Sequence, residues 1–129
     1  MAEAPVILLV EDDPFLSALL KTRLQNEGLT VMHAMDGQQA IEMLKASKPS
    51  LILLDLILPK KSGFEVMEAI QSDPELNKSP IIIISNLGQE SDLQRGKELG
   101  AIEYFVKAKT SIDDLVTKIR QFVISGAAQ

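Results

Sequence analysis

The chain has 129 residues and a mass of 14.1 kDa, which is the size of a single domain. It contains no cysteine and one histidine, so a disulfide framework, a thiolate zinc site and a cysteine nucleophile are excluded. Its formal net charge of −5 argues against primary binding to nucleic acid or to an anionic membrane surface. The charge is compatible with a cation or with a basic protein partner.

Short apolar runs that stop abruptly at polar residues predict five strands. The runs are Val6–Val10, Thr30–Ala34, Leu51–Leu54, Ile81–Ile84 and Tyr104–Val106. Runs of this length that are rich in Ile, Leu and Val are typical of parallel strands covered by helices on both faces.

Amphipathic segments between these runs predict five helices. They are Pro14–Glu27, Gly37–Lys45, Gly63–Ser72, Ser91–Leu99 and Ser111–Val123. Gly28 and Gly100 act as helix stops, and Ser111 is the expected N-cap of the last helix. The apolar pattern of the first helix consists of Phe15, Leu16, Leu19, Leu20 and Leu24.

The alternation of strand and helix predicts a three-layer α/β fold with a parallel sheet and right-handed crossovers. The whole chain, 1–129, is expected to form one domain, with residues 125–129 as a tail or the stump of a linker. There is no apolar stretch long enough for a membrane span and no signal-peptide pattern, so we expect no membrane association and a cytoplasmic location.

Polar residues follow the apolar runs at the point where the strands end. Glu11 and Asp12 follow the first run, Asp55 the third, Ser85 the fourth and Lys107 the fifth. The carboxyl ends of parallel strands share one edge of the sheet, where ligands bind in this kind of architecture. Three converging carboxylates need a compensating cation, and hard oxygen ligands suit Mg²⁺.

A metal, a lysine and a hydroxyl around a carboxylate are the parts needed for phosphoryl transfer, with Asp55 as the acceptor. Two alternatives fit less well. A flavodoxin-type flavin site needs a phosphate-cradling loop after the first strand, where this chain has carboxylates. A haloacid-dehalogenase-type phosphatase needs a second acid two residues after the nucleophile, where this chain has Ile57.

From Val6 to about Val123 the chain resembles the receiver domain of two-component response regulators, a CheY-like, flavodoxin-like fold. The motifs are the acidic pair, Asp55 with Pro59 and Gly63 in the pattern D-x-x-x-P-x-x-x-G, Ser85 and Lys107. The resemblance implies a (βα)₅ fold with sheet order 2-1-3-4-5. It also implies that a histidine kinase or a phosphotransfer protein supplies the phosphoryl group.

The resemblance further implies a role for each matching residue. Asp12, Asp55 and the backbone carbonyl of Ile57 would bind Mg²⁺ directly, with Glu11 acting mainly through water. Ser85 and Lys107 would hold the phosphoryl oxygens. Ser85 and Tyr104 would switch together and remodel the surface of the fourth helix, fifth strand and fifth helix.

The chain departs from the family pattern after the lysine, where Ala108 replaces the usual proline. A cis bond without proline costs about 3–4 kcal/mol, so we expect a trans peptide or a strained cis one. Apolar Ile57 and Leu87 stand at positions that influence phosphate lifetime in the family, and we expect slow autodephosphorylation. Asn86 either crowds the site or hydrogen-bonds to a phosphoryl oxygen.

The expected protein is a stand-alone regulator that controls a downstream protein as a monomer or weak dimer, without contacting nucleic acid directly. It is not expected to be an enzyme with turnover. The alternative is a receiver excised from a larger regulator or hybrid kinase. Asp13 is interpreted as a helix cap, His33 as a structural residue, and Lys60 and Lys61 as solvated loop residues.

Overall fold

The structure is a computed structural model that describes residues 4–76 and 78–124. Five strands and five α-helices alternate along these described residues. The strands are β1 (Val6–Val10), β2 (Thr30–Ala34), β3 (Leu51–Leu54), β4 (Ile81–Ser85) and β5 (Ala101–Val106). The helices are α1 (Pro14–Asn26), α2 (Gly37–Ala46), α3 (Gly63–Ser72), α4 (Glu90–Glu98) and α5 (Ile112–Ile124).

The strands form one parallel sheet with the order β2-β1-β3-β4-β5. The predicted fold class and strand order are therefore confirmed. A register shift interrupts the β4–β5 pairing, because Ile81 pairs with Ala101 whereas Ile82 pairs with Glu103. Residues 125–129, where a tail or linker stump is expected, lie outside the described residues.

Two apolar cores lie on opposite faces of the sheet. Side chains of β1, β3 and β4 alternate between them, so that Leu8 and Ile52 face α2 and α3 while Leu9 and Leu53 face α1 and α5. Every residue of β3 and β4 is buried, as expected for central strands of a parallel sheet. No helix in the described part of the chain is long and apolar enough to cross a membrane.

The helix boundaries follow the expected capping signals. Asp13 accepts hydrogen bonds from the backbone N–H groups of Phe15 and Leu16, which confirms it as the N-cap of α1. Gly28 and Gly100, each one residue past the C-cap of α1 or α4, have φ of 85° and 101°, a left-handed conformation that favours glycine. Ser111 Oγ accepts from Asp114 N, as predicted for the cap of α5.

The predicted apolar pattern of α1 is wrong at Phe15, which is 87% exposed, and at Leu19, which is 44% exposed. The buried stripe of α1 consists instead of Ser17, Leu20 and Leu24. Phe15 lies five residues before Leu20, which places it about 140° away around the helix. The side chain therefore points away from the core.

Candidate functional site

The carboxyl edge of the sheet brings together the acids that follow β1 and β3. Glu11 N donates to Ala34 O at 3.1 Å and Asp55 N donates to Val10 O at 3.0 Å, so both acids extend the strand pairing by one residue. His33 Nε2 lies 2.7 Å from Glu11 O and, as the donor, holds the backbone of the acidic pair. The sheet itself therefore fixes the backbone from which these carboxylate side chains extend.

Glu11, Asp12 and Asp55 offer carboxylate oxygens that lie within 4.8 Å of one another. Glu11 and Asp55 are buried, whereas Asp12 is exposed. The three acids share a cavity of about 260 Å³. Its lining residues are Glu11, Asp12, Asp13, Asp55, Ile57, Asn86 and Lys107.

Lys107 bridges two of the acids. Its Nζ lies 2.8 Å from Asp55 Oδ2 and 2.8 Å from Glu11 Oε1. Glu11 Oε1 is buried and has this ion pair with Lys107 but no hydrogen bond of regular geometry. The site thus holds one ammonium against three carboxylates.

Burial raises the pKa of Glu11 above its usual value, and the neighbouring Asp55 carboxylate acts in the same direction. The contact with Lys107 and the hydrogen bond from Asp13 N oppose that rise but do not cancel it. For Lys107, burial acts to lower the pKa, but the close contacts with Asp55 and Glu11 and their charges outweigh it and raise the pKa. The lysine therefore stays charged in the site.

The residues present fit a hard divalent cation. The three side chains that could act as metal ligands are all carboxylates, and they converge within one cavity. One of their oxygens, Glu11 Oε1, is buried without an aligned hydrogen bond. Mg²⁺ prefers oxygen ligands and takes one or two carboxylates directly. The described geometry places Ile57 on the wall of the same cavity, where its backbone carbonyl is the expected additional ligand.

The loop after Asp55 begins with a tight turn. Asp55 Oδ1 accepts from Leu56 N at 2.7 Å, which orients the carboxylate and leaves Oδ2 toward Lys107. Gly63 explains the spacing of the D-x-x-x-P-x-x-x-G motif, since a Cβ at Gly63 would lie 2.2 Å from Asp55 O. Only glycine allows α3 to start this close to the acid.

Ser85 ends β4 and is fully buried, but it does not line the acidic cavity. Its Oγ accepts from Leu87 N at 3.2 Å. Leu87 O in turn accepts a hydrogen bond from the hydroxyl of Tyr104, which is half-buried. The serine and the tyrosine are thus connected through the backbone of Leu87.

The Lys107–Ala108 peptide bond is trans, the first of the two expected outcomes. Lys107, Ala108 and Lys109 form a short 3₁₀ turn that joins β5 to the loop before α5. Lys107 reaches the acids from this turn, whereas Lys109 is exposed. A proline is therefore not required for the lysine to reach the acids.

Sequence reasoning missed two properties of the site. The complete burial of Glu11 and its contact with Lys107 depend on residues distant in the chain, and no local signal reveals them. Asp13, interpreted only as a cap, also lines the cavity.

The chain is similar to known proteins over most of its length. The family model for the response regulator receiver domain matches residues 7–120. The transcriptional regulatory protein CpxR of Escherichia coli K12 is 40% identical over 114 residues, which cover 88% of this chain and 47% of CpxR. The chain thus spans about half the length of such curated relatives.

Two solved structures are similar over nearly their full length. The phosphorylated cyanobacterial phytochrome response regulator RcpA is 33% identical with a TM-score of 0.84, covering 95% of this chain and 96% of RcpA. The Mn²⁺-bound form of response regulator Rcp1 is 32% identical with a TM-score of 0.81, covering 92% and 93%. Together with the family match, they show that the chain belongs to the response regulator receiver domains of two-component systems, with a CheY-like fold.

Proposed function

We propose that this receiver domain accepts a phosphoryl group on Asp55 in a Mg²⁺-dependent reaction and transmits the change to a protein partner. The observation that carries the proposal is the cluster of Glu11, Asp12 and Asp55 within 4.8 Å, with Lys107 Nζ 2.8 Å from Asp55 Oδ2. A catalyst of phosphoryl transfer mainly needs positioned charge of this kind.

In the proposed step, an Asp55 carboxylate oxygen attacks the phosphorus of a phosphohistidine on a kinase or phosphotransfer protein. The new P–O bond forms as the P–N bond breaks, and the leaving imidazole nitrogen keeps the electron pair and takes a proton. The ammonium group of Lys107 stabilises the negative charge on the phosphoryl oxygens, and Ser85 donates a hydrogen bond to them. Asp12, Asp55 and the Ile57 carbonyl would hold Mg²⁺, with Glu11 acting through water, and the bound ion would supply further charge neutralisation.

The same proposal connects phosphorylation of Asp55 to a change at the protein surface. Ser85 Oγ and Tyr104 OH are both hydrogen-bonded to the backbone of Leu87. A hydrogen bond from the serine hydroxyl to a phosphoryl group therefore disturbs Leu87, whose carbonyl is the hydrogen-bond partner of Tyr104. Tyr104 lines a cavity of about 300 Å³ beside α4. The other lining residues are Leu93, Lys97, Ala101, Ile102 and Glu103. A change in the tyrosine therefore alters the surface of α4, β5 and α5, which is the proposed contact for the downstream protein.

The decisive test is phosphorylation by a small-molecule phosphodonor with and without Mg²⁺, followed by mass spectrometry. We expect one phosphoryl group on the wild-type chain only with Mg²⁺, none on Asp55→Ala, and strongly reduced labelling of Lys107→Ala. Lys109→Ala is the matched control, because that lysine is exposed outside the acidic cavity and should leave labelling unchanged. Equal labelling of wild type and Asp55→Ala would overturn the proposal.

The protein acts stoichiometrically in this proposal, as an acceptor rather than an enzyme with turnover, in the cytoplasm and as a monomer or weak dimer. The second candidate is the receiver domain of a longer regulator, favoured by the observation that the chain spans about half of CpxR. Pull-downs with and without beryllofluoride address both candidates, since either should expose a phosphorylation-dependent protein partner. A partner retained equally in both states would contradict the proposed switch.

A further inference from the structure

The β3–α3 loop, residues 55–62, is in very close contact with the first turn of α2. Gly37 is buried there, and a Cβ on it would lie 2.0 Å from Lys61 O and 2.7 Å from the Lys61 carbonyl carbon. Gly37 N also donates a long hydrogen bond of 3.4 Å to Pro59 O. The two backbones therefore approach as closely as they do only because residue 37 has no side chain.

Lys60, in the middle of this contact, has a φ of 67° and is the one non-glycine residue with positive φ among residues 4–76 and 78–124. Such a conformation persists in folded proteins when the surroundings determine it. Here the surroundings belong to α2, because Gly37 of that helix lies against the backbone of Lys61, the next residue; Asp36 Oδ2 also lies 3.8 Å from Lys60 Nζ. The interpretation of Lys60 as a solvated loop residue is therefore incomplete, although its side chain is exposed.

The other end of the loop is fixed separately. Gly63 N donates to Leu56 O at 2.9 Å, and Gly63 lies directly against Asp55 O. Between the two fixed ends lies Ile57, on the wall of the acidic cavity. The backbone of Ile57 thus depends on Gly63 on one side and on Gly37 on the other.

We propose that Gly37 is a positioning residue for the metal: by seating Lys61 against α2, it fixes the β3–α3 loop and holds the Ile57 carbonyl at the acidic cavity. The inference rests on the proposed function, since that carbonyl matters only if the site binds Mg²⁺. Mg²⁺ demands near-octahedral geometry, so a small displacement of one oxygen ligand weakens binding. Residues that orient metal ligands from outside typically change affinity by about 10–100-fold.

The test compares Gly37→Ala with Gly28→Ala by calorimetric titration with Mg²⁺, at a temperature where circular dichroism shows every variant folded. Gly28 is the matched control, because its φ of 85° makes alanine strained while a Cβ there would meet no atom within 4 Å. We expect Gly37→Ala to bind Mg²⁺ about tenfold more weakly than wild type, and Gly28→Ala to bind like wild type despite its lower stability.

The outcomes separate the two proposals. No Mg²⁺ binding by the wild-type chain would overturn the proposed function and this inference with it. Wild-type binding combined with unchanged binding by Gly37→Ala would overturn only the inference. Equal weakening in Gly37→Ala and Gly28→Ala would also overturn it, because general destabilisation would then explain the loss.

If Gly37→Ala does not fold, Lys60→Val and Lys60→Gly decide the question. Both variants remove the same positive charge, but glycine adopts the φ of 67° without strain, whereas β-branched valine disfavours it. We expect Mg²⁺ binding to be several-fold weaker in Lys60→Val than in Lys60→Gly. Equal affinities of the two variants would show that restraint of this loop does not set the metal site, and would overturn the inference.

Discussion

Different effects set the pKa values of Glu11 and Lys107, which are in contact in the site. Desolvation dominates at Glu11 and raises its pKa, so the ionised acid is costly there. Pairing dominates at Lys107, whose pKa rises although burial alone would lower it. A divalent cation would relieve the first cost without removing the lysine, which gives the site a physical reason to bind one.

Tyr104 offers a direct test of the described surroundings of its own side chain. Burial, followed by the charges of Asp92 and Asp55, raises its pKa from 10.0 to about 12. Since the folded value lies above the unfolded one, this group stabilises the fold fully below pH 10.0, and the stabilisation is lost as the pH rises toward about 12.

The chain contains one tyrosine and no tryptophan, so tyrosinate absorbance reports this residue alone. We expect the phenol to ionise near 12 in the folded protein and near 10.0 in urea. Coincident titration curves in the two states would show that the described environment of Tyr104 is wrong.

Under the proposed function, we expect residues around the acidic cavity to set the lifetime of the aspartyl phosphate. Ile57 is 59% exposed on the cavity wall, and its apolar side chain cannot orient an attacking water. We expect the purified phosphoprotein to decay slowly in Mg²⁺ and Ile57→Asn to decay several-fold faster. A wild-type half-life of only seconds, measured by loss of the phosphorylated mass, would contradict this expectation.

At the scale of single elements, the first turn of α1 depends on its N-cap residue, Asp13. Asp13 accepts from Phe15 N at 2.9 Å and from Leu16 N at 3.1 Å. We expect Asp13→Ala to lower the free energy of unfolding by about 1 kcal/mol, and Asp13→Ser, which keeps a capping oxygen, to lower it much less. Urea denaturation measures both, and equal losses would mean that charge rather than capping accounts for the effect.

The elements themselves were largely predictable from the chain. β1, β2, β3 and α3 have the predicted bounds, because each boundary coincides with a change from apolar to polar residues or with a cap. β5 begins three residues earlier than predicted, at Ala101, since pairing with β4 recruits residues whose own pattern is mixed. The exposure of Phe15 was not predictable from apolar spacing, which does not say which side of a helix meets the sheet.

The membership of the site was predictable in part, and its contacts were not. Three strand ends in a parallel sheet are enough to bring Glu11, Asp55 and Lys107 to one edge. That Lys107 lies between the two acids, and that Gly37 lies against the loop after Asp55, depends on distances set by the packed fold. No periodicity in the sequence encodes those distances.

For the whole molecule, stability depends on the central strands. Leu53 is fully buried in β3, whereas Leu19 on α1 is 44% exposed. We expect Leu53→Ala to cost about 2–5 kcal/mol, a large part of the roughly 5–15 kcal/mol typical of a domain. Leu19→Ala, the control, should change stability far less in the same chemical denaturation series, and comparable losses would contradict the described core.

The register shift between β4 and β5 determines on which face of the sheet each side chain of β5 lies. Successive strand residues point to opposite sides, so one unpaired residue, Ile102, reverses the parity of every later position in β5. With the shift, Tyr104 pairs with Ile83 and joins the core beneath α2 and α3, while Phe105 joins the core beneath α1 and α5. Had the pairing at Ile81 and Ala101 continued in step, the tyrosine would face the opposite layer, away from the cavity beside α4. A single inserted residue thus decides which of the two helix layers the tyrosine packs against.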